Sequence, residues 1–128
     1  MFRFRKTADV ITLFARPGSA ASSRVASLLR QTSARLQAPE NTGRDPFELD
    51  VTEELPTAGQ VETMLEYAGE GGVPRLVKGA RDIQDALQRF KQSGDSLQRP
   101  VTVDWDKGKV VVGDNESEIL KLVNARKE

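Results

Sequence analysis

The side chains able to do chemistry in this sequence are hydroxyls, carboxylates and cations, because it contains neither His nor Cys. Without Cys there is no thiolate nucleophile, disulfide or thiolate metal site. Without His there is no imidazole base, no Ser–His pair and no His-ligated metal. Most hydrolase and metalloenzyme constellations are thereby excluded, and no catalytic residue, resident metal or cofactor is expected. What remains is anion chemistry. Ser19 follows Arg16-Pro17-Gly18 at the start of an apolar-periodic stretch, with Arg24 a turn and a half further on, and Arg99-Pro100 opens a later β-branched run. A helix N-terminus carries unpaired amides and partial positive charge, and arginines add forked donors. Ser19, Arg16, Arg24 and Arg99, with Pro100 beside them, are therefore the candidate ligand site, suited to a small oxyanion. The alternative is that Ser19 only caps its helix and the arginines are solvated.

Two further groups offer a second chemistry. Asp104, Asp106, Asp114 and Glu116 are carboxylates close in sequence, but they lack the spacing of a calcium loop. Trp105, between two of them at a strand end, reads as a packing anchor.

These residues need elements to position them. Val10-Ile-Thr-Leu-Phe-Ala15 is an apolar, partly β-branched run stopped by Pro17-Gly18, the pattern of a buried strand. From Ser19 to about Gln37, Ala21, Val25, Leu28, Leu29, Thr32 and Leu36 fall on one helical stripe, and Ser19 is an N-cap residue. Residues 38–46 have the composition of a flexible loop. Phe47, Leu49 and Val51 alternate with Glu48 and Asp50 as a strand with one wet face. Thr57 and Gln60 form a capping-box pattern before Val61, Met64, Leu65 and Ala68, and Gly69, Gly71 and Gly72 read as the end of that helix. Ile83, Ala86, Leu87 and Phe90 mark a third helix opened by Asp82, with Gly94 at its exit. Pro100–Trp105 and Lys109–Gly113 are strands of a hairpin turned at Asp106-Lys107-Gly108. Asn115 and Glu118 bracket the start of a last helix whose inner face is Ile119, Leu122 and Val123.

The order β-α-β-α-α-β-β-α implies one α/β domain over residues 1–128. Its four-stranded mixed sheet has the first two strands parallel, the last two antiparallel, and helices on both faces, which is a thioredoxin-like arrangement. The length of 128 residues suffices for one core. Nineteen Lys and Arg balance nineteen Asp and Glu, which gives no case for nucleic-acid binding. No apolar run reaches the ~20 residues needed to cross a bilayer as a helix. The balance is uneven along the chain: residues 1–39 carry seven basic groups and a single acid, and residues 40–128 hold the other twelve basic and eighteen acidic groups.

Three stretches together carry a resemblance: Ile11-Thr-Leu-Phe-Ala-Arg-Pro-Gly-Ser19 running into a helix, Arg99-Pro-Val-Thr-Val-Asp-Trp105, and Lys109-Val-Val-Val-Gly113 before a capped helix. In that order they resemble the arsenate-reductase-like branch of the thioredoxin superfamily. The resemblance implies a cis bond before Pro100, which would leave neighbouring backbone groups free to meet a ligand. It also places Ser19 where that branch has its nucleophilic Cys. More closely, the basic start Met1–Lys6, Pro46-Phe-Glu-Leu49, Val51-Thr-Glu-Glu54, Val103-Asp-Trp105 and Val112-Gly-Asp114 resemble a fungal family of small mitochondrial proteins described as redox proteins. That family expects a Cys in its second half, and none exists here. The resemblance implies a mitochondrial location, to which an Arg-rich, acid-poor N-terminal segment is suited. Residues 1–9 are short for a complete transit peptide, so an uncleaved signal overlapping the domain is expected. Three functions follow: a non-catalytic binding module with a protein partner and a small anion as ligand, an oxidoreductase acting on small molecules as the family label implies, or a structural subunit of a larger mitochondrial assembly.

Overall fold

A computed structural model describes residues 9–40 and 44–124. The basic segment Met1–Lys6 lies outside the described residues. The elements run β1 (Asp9–Phe14), α1 (Ala20–Leu36), β2 (Phe47–Thr52), α2 (Ala58–Leu76), α3 (Ile83–Gln92), β3 (Val101–Asp104), β4 (Lys109–Val112) and α4 (Glu116–Asn124), with a short 3-10 turn at Gly94–Ser96. The sheet order is β2-β1-β3-β4. β1 and β2 are parallel, in register from Asp9 opposite Phe47 to Phe14 opposite Thr52. β3 is antiparallel to both β1 and β4. The expected mixed four-stranded sheet with helices on both faces is what forms.

Alternation along the central strands divides the core in two. Ile11 and Leu13 point to the side of α1 and α4, against Val25, Leu29, Ile119 and Leu122. Phe14, Val101 and Val103 point to the opposite side, against Val61, Met64 and Leu76 of α2 and Phe90 of α3. On α1 the buried stripe is Ser22, Val25, Ala26, Leu29, Thr32 and Leu36. It is the expected stripe except that Ser22 and Ala26, not Ala21 and Leu28, face fully inward. The helix starts are those that their capping residues specify. Ser19, Thr57 and Asp82 accept from the amides of Ser22, Gln60 and Asp85, and the Thr57–Gln60 box is closed in both directions. Asn115 Oδ1 likewise accepts from the Glu118 amide at 3.0 Å.

One boundary differs from expectation. Gly69 does break α2, with φ 72° and ψ 173°, a conformation other residues avoid. The chain then re-enters helix through Gly71 and Gly72 as far as Leu76. The restart is favoured because Val73 and Leu76 are both buried beneath it. That burial, at about 25 cal/mol per Å² of apolar surface, offsets the ladder bond that Pro74 cannot donate.

Candidate functional site

The corner at the C-terminal end of β1 is built by a turn and a cap. After β1, the Ala15 amide still donates to Thr52 O at 2.8 Å, and Gly18 turns the chain with φ 74°. Ser19 then sits in extended geometry and its Oγ accepts the Ser22 amide at 3.1 Å. Ser22 Oγ reciprocates by accepting the Arg16 amide at 2.9 Å. The strand exit and the first helical turn are thus tied together by two hydroxyls. The Ala20 and Ala21 amides lie in the first turn, where the helix itself supplies no acceptor. Ser19 therefore acts as the cap it resembles; the sequence has no His to serve it as a base.

Arg99 comes to the same corner from the other side of the sheet. Its peptide bond to Pro100 is cis, and its side chain is only 5% exposed. Nη1 donates to Ala15 O and to Glu53 O, each at 3.4 Å, and Nη2 to Asp95 Oδ1 at 3.3 Å. Nε is buried and has no partner. The guanidinium is thus held by long bonds at the strand end that feeds the Ser19 turn, and among the described residues its one ion pair is with the well-exposed Asp95. Arg16 is exposed beside it, its side chain unpaired among the described residues. Arg24 is committed elsewhere: Nη2 donates to Asp114 Oδ2 at 2.6 Å. That bond holds the Asp114 carboxyl below its ordinary value. Asp114 follows Gly113, whose amide donates to Pro100 O at 2.8 Å, so the pair lies along the rim of the same end of the sheet. Of the predicted residues, Arg16 and Ser19 flank the turn, Arg99 reaches the Ala15 carbonyl just before it with Pro100 following, and Arg24 is already paired.

The opposite end of the sheet holds a cluster that sequence reasoning missed. Arg44, within the expected loop 38–46, is buried. Its Nη2 donates to Asp9 at 2.9 Å, its Nη1 to Asp104 and to Val123 O at 3.4 Å each, and its guanidinium stacks over the Phe47 ring. Asp104 Oδ1 accepts the amides of Asp106 and Lys107, and Asp106 Oδ2 accepts the Val10 amide. Burial, and then Arg44, push the Lys107 amine below its ordinary value. Of the four carboxylates grouped by sequence, only Asp104 and Asp106 meet, joined by Asp9. Their oxygens are engaged by Arg44 and by backbone amides, which makes the cluster a clamp that pins the loop to the sheet. The only available signal was a single Arg in a loop otherwise free of cations.

Trp105 is the packing anchor expected. Its Nε1 donates to Thr12 Oγ1 at 2.8 Å, its carbonyl accepts from Tyr67, and its ring meets Phe14 edge-on.

Two similarities to known proteins bear on the chain. Residues 2–114 match the profile of a family described as "Protein of unknown function (DUF1687)". A Schizosaccharomyces pombe protein named "Putative redox protein fmp46, mitochondrial" is 42% identical over 64 residues, which is 50% of this chain and 53% of that relative. The similarity therefore spans about half the length of the curated relative.

Proposed function

The chain belongs to the DUF1687 family, and we propose that it is a thioredoxin-like binding module of mitochondria that works without thiol chemistry. The strand order, the parallel β1–β2 pair and the antiparallel hairpin support the thioredoxin-like assignment. The mitochondrial location is supported by the relative's name and by the basic N-terminal third. The name of that relative also carries a redox role. Against such a role here stands the composition of the chain. Disulfide exchange needs a sulfur nucleophile, these 128 residues have none, and Ser19 occupies the helix start with its oxygen already capping.

The observation that carries the binding reading is the state of Arg99. A buried guanidinium whose Nε has no partner among the described residues, bonded to Ala15 O at the strand end that leads into α1, is a donor set suited to an oxyanion. The ligand class is a small oxyanion such as phosphate or sulfate, alone or as part of a larger molecule. Affinity is limited by Asp95, which competes for Arg99, and by Asp114, which holds Arg24. With both carboxylates competing, binding is expected no tighter than roughly millimolar, about −4 kcal/mol.

The test pairs two measurements on the pure chain. Phosphate should bind weakly, with Arg99→Ala abolishing it, and a disulfide substrate in metal-free buffer should not be turned over. Disulfide turnover, or phosphate binding indifferent to Arg99, overturns the reading.

A further inference from the structure

A second surface lies along the outer edge of β4, apart from the Ser19–Arg99 corner and independent of it. β4 is last in the sheet order, so among the described residues no strand pairs with its far side. Which groups face outward follows from the ladder. Antiparallel pairs alternate between bonded and non-bonded positions. The Gly113 amide bonds Pro100 O, and the register sets Thr102 opposite Val111 and Val103 opposite Val110. Counting back from Gly113, the bonded partners include Val111, which leaves the N–H and C=O groups of Val110 and Val112 pointing to the open edge.

This edge has walls. α2 overlies one face of the sheet and α4 the other. Two adjoining cavities of about 340 and 90 Å³ share Val110, Val111 and Glu118 as lining. Tyr67 and Arg75 stand on the α2 side, Lys121 and Glu118 on the α4 side, and Lys109 at the end of the strand. Arg75 Nη2 and Glu118 Oε2 are 3.9 Å apart and both well exposed. Since they come from helices on opposite faces, their contact passes round the outside of β4. It is a strap across the edge, and a weak one, as exposed pairs are.

We propose that the open edge of β4 receives an extended acidic peptide from a partner protein, paired backbone to backbone with Val110 and Val112. Backbone pairing supplies the attachment, and the walls supply the selectivity. Among the described residues, the charged groups lining the two cavities are three cations, Arg75, Lys109 and Lys121, against the single carboxylate of Glu118. An acidic strand meets that rim favourably. A second copy of this chain, paired about a two-fold axis, would set the same cationic rim against itself. On binding, Arg75 exchanges Glu118 for a carboxylate of the peptide, so the strap opens without leaving a charge unpaired.

The test uses two synthetic peptides, acetyl-Glu-Val-Glu-Val-Glu-Val-Glu-amide and its counterpart with Lys at every Glu position, titrated into ¹⁵N-labelled protein. The acidic peptide should shift the amides of residues 109–113 and slow hydrogen exchange at Val110 and Val112. The basic peptide should bind roughly tenfold more weakly, the factor set by a few exposed charge contacts. Glu118→Gln opens the strap and removes the lone acid, so the acidic peptide should bind several-fold more tightly. Val110→Pro removes one outward N–H at a position where an edge strand accepts proline, and should abolish binding. If that variant fails to fold, Glu118→Gln and Lys109→Glu still decide, the latter by weakening the acidic peptide. Equal affinity for both peptides, shifts away from β4, or concentration-dependent pairing of the chain with itself through β4 would overturn the proposal.

Discussion

Replacing Arg44 with Met removes the guanidinium paired with the fully buried carboxylate of Asp104 while keeping most of the side-chain volume. Losing one partner of a buried ion pair costs about 3–5 kcal/mol. The geometry points to the lower end. Asp104 retains the Asp106 and Lys107 amides on Oδ1, and Asp9, partly exposed, can turn to water. A loss near 3 kcal/mol is therefore expected, a large share of the roughly 5–15 kcal/mol of a typical domain. For a chain of this size the corresponding fall in Tm is roughly 10 °C. Urea unfolding followed by the fluorescence of Trp105, the only Trp, measures it. Adding Asp104→Asn should recover about 1–2 kcal/mol, because an amide oxygen can still accept the two backbone bonds without carrying a charge. A loss below about 1 kcal/mol, the value of an exposed pair, would refute the clamp, as would a double variant no more stable than Arg44→Met.

Other outcomes follow from the same geometry. Ser19→Ala should cost about 1 kcal/mol of stability through the lost cap, read by the same unfolding assay. Trp105→Phe strands the Thr12 hydroxyl and should cost about 1–2 kcal/mol. The Arg81 amide and then the Arg89 side chain hold the Asp85 carboxyl below its ordinary 3.8. Its contribution to stability is therefore complete above the unfolded value and is lost as pH falls through the folded one. A ¹³C carboxyl titration should find that lowered midpoint, and Asp85→Asn should flatten the acid limb of the stability profile. Replacing Arg3, Arg5 and Lys6 with Glu should reduce uptake by isolated mitochondria, and unchanged import would remove the role assigned to that segment.

What could be read from the sequence was what local chemistry dictates. Ser19, Thr57, Asp82 and Asn115 announced their helices because a cap needs only its own next three residues. Val10–Ala15 read as a buried strand because an apolar, partly β-branched run stopped by Pro17-Gly18 is a local signal as well. What could not be read depends on residues remote in sequence. Arg44 lies 35 residues from Asp9 and 60 from Asp104, so nothing near it distinguishes a clamp from a loop cation. Arg24 sat on the correct helix, but its pairing with Asp114, 90 residues away, diverts it from the turn it was expected to serve. The glycines after Ala68 read as a stop because propensity is local, whereas the return to helix at Val73 and Leu76 is driven by the core they enter.

The measurement closest to the central claim is a phosphate titration of ¹⁵N-labelled protein, compared with Arg99→Ala. Millimolar-range shifts should cluster at residues 18–21 and around Arg99 and be lost in the variant, while the Val110 and Val112 amides stay still. Shifts scattered over the basic surface, or a cluster that survives Arg99→Ala, would contradict it, leaving the corner as a helix cap beside a proline.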